Sequence, residues 1–114
     1  MKYTAYACRA CTDAMFLPAA GSAAYTGPEA DSIAQVEKAQ LLNPLLWSLF
    51  VKQFRIGNVD DTTNGWRSEY WGKMMRGACF TYAYTQNKAL YTTLENTVRD
   101  LLSTQDRYGR ITTY

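Results

Sequence analysis

Aromatic and charged residues that could bind a sugar are concentrated at the start of one long stretch without proline, Trp66–Tyr84. Aromatic rings stack on the C–H faces of pyranose and furanose rings, while charged side chains hydrogen-bond the hydroxyl groups. Helical spacing places Glu69, Lys73 and Arg76 in one charged row beside the aromatic residues. The residues predicted to line a carbohydrate-binding cavity are Trp66, Glu69, Tyr70, Trp71 and Lys73.

A purely structural interpretation of the same stretch stays open. Tryptophan and tyrosine are large core residues, and Glu69 with Lys73 is an ordinary i,i+4 pair on a helix surface. Because a binding pocket needs only a few placed polar groups, residue types alone do not separate the two interpretations. The stretch is apolar on most sides of a helix, which predicts that residues 66–85 form the most buried helix of the protein.

Three cysteines and no histidine limit the metal and redox chemistry that the sequence predicts. Cys8 and Cys11 form a C-x-x-C motif, but no second ligand pair follows at zinc spacing, and Cys79 lies inside the long stretch. No βαβ pattern surrounds the motif, as it would in a thioredoxin-like redox protein. We therefore predict that Cys8 and Cys11 hold no zinc and that this chain carries neither a metal site nor a cofactor.

The composition is that of one small globular domain. Of the 114 residues, 47% are hydrophobic and 19% are charged. A net charge of +2 without Lys/Arg clusters argues against a nucleic-acid partner. Arg9 and Asp13 interrupt the apolar run that a signal peptide needs, and no stretch has the apolar length of a membrane span. The sequence therefore predicts a soluble, cytoplasmic protein with no membrane partner.

Two helices are predicted ahead of the long stretch, over residues 28–42 and 44–56. Asn43 is a good N-cap, and Pro44 is tolerated at the first helical position because its missing N–H would have no partner there. Residues 1–27 are predicted to form a short irregular or strand-like N-terminal segment. The inward face of the second helix is predicted to carry Leu46, Leu49, Phe50 and Phe54.

A hairpin of two helices is predicted after the loop Gly57–Gly65. Its second helix would begin after Asn87, cover residues 88–104 and pack against the first through one stripe, made by Leu90, Leu94, Val98 and Leu101. An all-round apolar helix followed by a one-faced helix is the order of inner and outer helices in α/α toroids and helical solenoids. The predicted fold class is therefore all-α, built from helical hairpins.

Five segments of the chain together form a recognisable combination: KAQLL at 38–42, FVKQFR at 50–55, WRSEYWGK at 66–73, LLSTQD at 101–106 and GRITTY at 109–114. This combination resembles the β-L-arabinofuranosidase-like glycoside hydrolases (glycoside hydrolase family 127 and its relatives). The similarity covers roughly residues 30–114, and residues 1–27 match the family poorly.

The resemblance implies an (α/α)6 barrel whose inner helices surround a sugar-binding cavity, with residues 28–114 forming an incomplete α/α toroid. Family members release terminal arabinofuranose units with retention, using a zinc-bound cysteine thiolate as nucleophile and a glutamate as general acid/base. Those residues lie downstream of the matched region, so neither Glu69 nor any cysteine of this chain takes these roles. The chain would be an N-terminal fragment or truncated relative that contributes one wall of the cavity and is inactive alone.

A stand-alone helical protein-interaction module without enzymatic activity is the alternative function. The helix–turn–helix order favours it, although no repeat period links residues 31–56 with 66–104. If the resemblance holds, the aromatic rows around Trp66, Tyr70, Trp71 and Met74 would be left open on a single copy. We expect self-association through this surface, with covering by residues 1–27 or aggregation as the alternatives. The predicted partners are a carbohydrate, a second copy in a homo-oligomer or the remainder of the barrel.

Overall fold

The computed structural model describes residues 19–56 and 67–113, which form four α-helices and one π-helical turn. No strand occurs within these residues, so they confirm the all-α prediction. The predicted loop Gly57–Gly65 lies outside the described residues, and residues 19–27 are irregular. The elements are α1 Pro28–Val36, the π-helical turn Glu37–Leu41, α2 Pro44–Ile56, α3 Arg67–Thr85 and α4 Lys88–Leu102.

The two asparagines that were predicted to begin helices do so. The side-chain oxygen of Asn43 accepts the backbone N–H of Leu45 at 3.0 Å. The side-chain oxygen of Asn87 accepts that of Ala89 at 2.9 Å. Each bond satisfies one of the N–H groups that have no partner at the start of a helix. The beginnings of α2 and α4 are therefore set by local hydrogen bonding.

The helix predicted over residues 28–42 changes to π geometry in its last turn. The N–H of Leu42 donates to the carbonyl of Glu37, five residues back, at 2.9 Å. The turn buries both Glu37 and Leu41. The Leu41 carbonyl accepts the indole N–H of Trp47 at 2.8 Å. A helix-end carbonyl and a buried indole N–H thus satisfy each other.

The core lies where the π-helical turn, α2, α3 and α4 meet. Its main cluster consists of Leu41, Trp47, Ala78, Leu90 and Leu94. Leu94 is only 7% exposed, as the predicted inward stripe of α4 requires. Val98 was predicted for the same stripe, but it is exposed at the edge of α4. The inward stripe is confirmed for the first half of α4 and is wrong at Val98.

The prediction that α3 is the most buried helix is wrong. Of its described side chains only that of Ala78 is buried, and both Tyr70 and Phe80 are exposed. The physical reason is that α2, α4 and the π-helical turn cover one side of α3, whereas a helix that is apolar all round needs neighbours on every side. Some of the apolar side chains of α3 are therefore exposed on the surface.

The inward face of α2 is made by Trp47 and Val51, which are one helical turn apart and fully buried. Leu49 was predicted to face inward, and it is exposed. Leu46, Phe50 and Phe54 of the predicted face are half-buried, so the prediction is wrong at Leu49 alone. Because α2 is apolar over most of its circumference, its spacing supported more than one inward side. The packing against both α3 and α4 selected the side that carries Trp47.

The irregular segment 19–27 lies along the C-terminal half of α3. The N–H of Gly21 donates to the Ala83 carbonyl at 2.6 Å, and the N–H of Tyr25 donates to the Tyr84 hydroxyl at 3.1 Å. The rings of Tyr25 and Tyr84 stack with centroids 5.1 Å apart. This segment covers the end of α3 farthest from the predicted carbohydrate site.

Candidate functional site

The predicted carbohydrate site falls on the first turns of α3, and Trp66 lies outside the described residues. Glu69 and Lys73 form an exposed ion pair, with Oε1 and Nζ 2.6 Å apart. The ring of Tyr70 is exposed and lies beside that of Phe50 on α2, with centroids 6.5 Å apart. These residues form an open surface on which a tyrosine ring and two charged groups are accessible.

Trp71 lies on the other side of α3, in the packing against α2 and α4. Its indole N–H donates to the hydroxyl of buried Thr97 at 3.0 Å. Its ring meets that of Trp47 edge-on, with centroids 6.4 Å apart and planes at 75°. Residues separated by two positions in a helix point in directions about 200° apart around its axis. Trp71 and Glu69 are separated in this way, so they do not line one cavity. The structure thus separates Trp71 from the charged pair.

The surface around the charged pair is shallow. Its residues are Glu69, Gly72, Lys73 and Arg76. Apart from Gly72's chain neighbours and the backbone of α3 itself, no described residue has an atom within 4 Å of the position that a Cβ on Gly72 would take. Within residues 19–56 and 67–113, the middle of this surface is therefore uncovered. Charged side chains here can hydrogen-bond the hydroxyl groups of a sugar, but they do not enclose it. The described part of this site is one wall.

A larger apolar groove between α3 and α4 was not anticipated from the sequence. Its volume is about 430 Å³. Glu95 and Arg99 lie at its rim as an ion pair with a 2.7 Å N–O distance. The hydrogen bond that Arg99 donates to the Glu95 carboxylate raises the pKa of Arg99. The apolar lining is made by Met75, Cys79, Tyr82, Tyr91, Leu94 and Val98. The sequence feature that could have indicated this groove is the helical spacing of Met75, Cys79 and Tyr82, which places them on one side of α3.

A groove of about 250 Å³ lies between α2 and α4, and its lining includes the polar residues Ser48, Asn96 and Asp100. Asp100 is already engaged, because it forms an ion pair with Arg55 at the end of α2. The hydrogen bonds that Arg55 donates to the Asp100 carboxylate raise the pKa of Arg55, so this guanidinium stays charged. The carboxylate therefore links α2 to α4, and it is not available to bind a ligand in this groove.

Within the described residues, no three His, Cys, Asp or Glu side chains lie close enough together to hold a metal ion. The thiol of Cys79 is exposed, with its Sγ 3.7 Å from Met75 Sδ. Cys8 and Cys11 lie outside the described residues. None of the described helices combines the length and the apolar character that crossing a membrane requires.

The chain was compared with protein-family models, with curated proteins and with solved structures. None of these comparisons found a match. The resemblance to the arabinofuranosidase-like hydrolases therefore rests on the sequence segments themselves.

Proposed function

We propose that this chain is a helical module that works by packing its exposed apolar helix faces against other helices. The observation that carries the proposal is the distribution of hydrophobic side chains. Among the described residues, six hydrophobic side chains are buried and ten large ones are exposed. Eight of the ten exposed ones are distributed over the four α-helices, and Tyr25 and Tyr108 lie outside them. Single exposed hydrophobic residues are ordinary, but contiguous apolar surfaces mark binding sites.

The partner surface would itself be helical. Helices pack by fitting side-chain ridges into grooves, and the exposed rows of α2 and α4 offer such ridges. The predicted incomplete α/α toroid would use the same faces, since each hairpin of a toroid packs against its neighbours. The proposal therefore holds whether the packing helices belong to another chain or to further hairpins of a toroid.

Photo-crosslinking in cells tests this proposal. A photoreactive phenylalanine analogue is placed at Leu49 on α2 or at Tyr91 on α4, two exposed apolar positions. The matched controls are the exposed polar positions Lys52 and Lys88 on the same two helices. We expect strong crosslinks to helical segments from the apolar positions and few from the lysines. Equal crosslinking from all positions, or none from any, would contradict the proposal.

One observation favours a second candidate function, the wall of a sugar cavity that the resemblance implies. The exposed ring of Tyr70 is adjacent in sequence to the exposed Glu69–Lys73 pair. An aromatic face for a sugar ring and charged groups for its hydroxyls are thus both accessible at the start of α3. Under this proposal, an arabinofuranoside binds weakly here, because only one wall is present.

Titration of the protein with a methyl arabinofuranoside, followed by NMR, tests the sugar candidate. We expect amide shifts near Tyr70 that disappear in the variant Tyr70→Ala. The control Tyr91→Ala removes an equally exposed tyrosine from α4, since both rings are 51% exposed, and it should leave the titration unchanged. Shifts that persist in Tyr70→Ala would show that binding does not use this surface.

A further inference from the structure

α4 carries two apolar stripes, and the core uses only one of them. The inner stripe contains Leu90, Leu94, Thr97 and Leu101, of which the first three are buried. The outer stripe contains Tyr91, Glu95, Val98 and Leu102, and its three hydrophobic members are exposed. The outer residues are spaced four, three and four positions apart, which is the spacing of a coiled-coil seam. α4 therefore has a second face on which three exposed hydrophobic residues flank one charged residue, Glu95.

The groove between α3 and α4 lies beside this outer stripe. Leu94 forms part of the groove, and Met75, Cys79 and Tyr82 line it from α3. The rings of Tyr82 and Tyr91 contact each other across it, with centroids 5.4 Å apart. A third helix can lay its ridge of side chains in the groove between two packed helices. The occupant that this surface fits is thus an apolar helix face.

The outer stripe is complementary to itself when two copies of α4 run antiparallel. Its spacing is the same from either end, so Tyr91 of one copy meets Leu102 of the other. Glu95 of one copy then lies level with Val98 of the other. Reciprocal pairing of this kind is what a two-fold symmetric interface requires.

The charges at the rim favour the same orientation. Glu95 and Arg99 are an exposed i,i+4 pair on each copy. In the antiparallel arrangement Glu95 of each copy lies next to Arg99 of the other, so the four charges alternate in sign. In a parallel arrangement like charges would meet, which is unfavourable. Charge complementarity therefore selects antiparallel packing.

From the stripe, the groove and the charges we infer that a second copy of this chain occupies the α3–α4 groove. The two copies form a two-fold symmetric dimer in which the α4 helices are antiparallel and adjacent. This inference rests on the proposed function and names the partner. The four central helices of the dimer are α3 and α4 of both copies.

Sedimentation across protein concentrations from about 1 µM to about 1 mM tests the dimer. Leu102→Lys places a charge in the outer stripe, where the leucine is 55% exposed. The control is Val36→Lys, which places the same charge at a 42% exposed hydrophobic position on α1, away from this stripe. We expect the wild type to dimerise reversibly. Leu102→Lys should raise the dissociation constant by about 10-fold or more, and Val36→Lys should leave it unchanged.

A charge swap tests the orientation. Glu95→Arg should weaken the dimer, because the guanidinium that it introduces on one copy lies next to Arg99 of the other. The double variant Glu95→Arg/Arg99→Glu should restore it, and circular dichroism checks that each variant keeps its helices. A wild type that stays monomeric, equal weakening by Val36→Lys, or a double variant that does not recover would overturn the inference.

Alkylation of Cys79 gives a readout that needs no substitution. The thiol lines the groove, so its alkylation rate should fall as the concentration rises and the dimer forms. A rate that does not change with concentration would contradict occupation of the groove by a second copy. If the protein stays monomeric while position Tyr91 crosslinks to a different protein, the dimer fails and the proposed packing function stands. If no position crosslinks, the packing function fails as well.

Discussion

Trp71 stabilises the packing of three helices through both its ring and its N–H group. The sequence predicted it as a sugar-stacking residue next to Glu69 and Lys73. In the structure its N–H bonds Thr97 on α4, and its ring packs on Trp47 of α2. Both partners are buried, so a substitution that removes the indole leaves a cavity and a buried hydroxyl without its donor.

Truncation of the Leu94 side chain should destabilise the core. Its side chain is 7% exposed and belongs to the main core cluster. Leu94→Ala should lower the free energy of unfolding by about 2–5 kcal/mol, because it removes buried methyl groups and leaves a cavity. Urea denaturation followed by circular dichroism measures the change.

The control for this prediction is Leu45→Ala on α2. Leu45 is 71% exposed, so its truncation should change the free energy of unfolding by no more than about 0.5 kcal/mol. A similar loss of stability in both variants would show that the core is not centred on α4.

The turn after α4 is organised by one carboxylate, that of Asp106. Its Oδ1 accepts the backbone N–H groups of Tyr108 and Arg110 at 2.8 and 2.9 Å. Its Oδ2 pairs with the Arg110 guanidinium at 2.8 Å. These bonds, first among them the Arg110 backbone N–H, lower the pKa of Asp106 below its usual value. Gly109 supplies the positive φ of 82° that this turn requires.

The stability of the turn after α4 should depend on pH. The pKa of Asp106 is lower in the folded protein than in the unfolded chain. Its contribution to the free energy of unfolding is therefore complete above the unfolded-state pKa of about 4, and it is lost as the pH falls through the folded-state pKa. NMR shifts of the Tyr108 and Arg110 amides should titrate in this acidic window. Circular dichroism at each pH separates local opening of the turn from unfolding.

The matched variant is Asp106→Asn, which keeps the oxygen that accepts the two amides but carries no charge. Its Tyr108 and Arg110 amide shifts should not titrate. Asp31→Asn on α1 removes a different exposed carboxylate, and the titration should then be unchanged. Titration that persists in Asp106→Asn would assign the effect to another group.

At the scale of the whole molecule, the described part of the chain has a small core and a large apolar surface. The main cluster joins α2, α3, α4 and the π-helical turn, while α1 contributes no buried residue. In such an arrangement, some apolar helix faces are not covered by another described helix. Association with further helices is the physical outcome that our proposals share, and the dimer through α4 is its most specific form.

The helix positions and the fold class followed from the sequence because they depend on local interactions. The caps at Asn43 and Asn87 each span two residues, and the stripe at Leu90 and Leu94 needs only the helical repeat. These features depend on residues that are close together in the sequence and do not require a particular arrangement of the helices. The bounds of α2, α3 and α4 therefore lie within a few residues of those predicted.

Which apolar faces become core was decided only by the tertiary structure. α2 and α3 are apolar on several sides, so their sequences allow several inward faces, and the number and direction of neighbouring helices selects one of them. That selection buried Trp47 in place of Leu49, turned Trp71 towards Thr97 and left Tyr70 exposed. The α3–α4 groove results from the same selection, because it forms only where two partly apolar faces meet without a third helix.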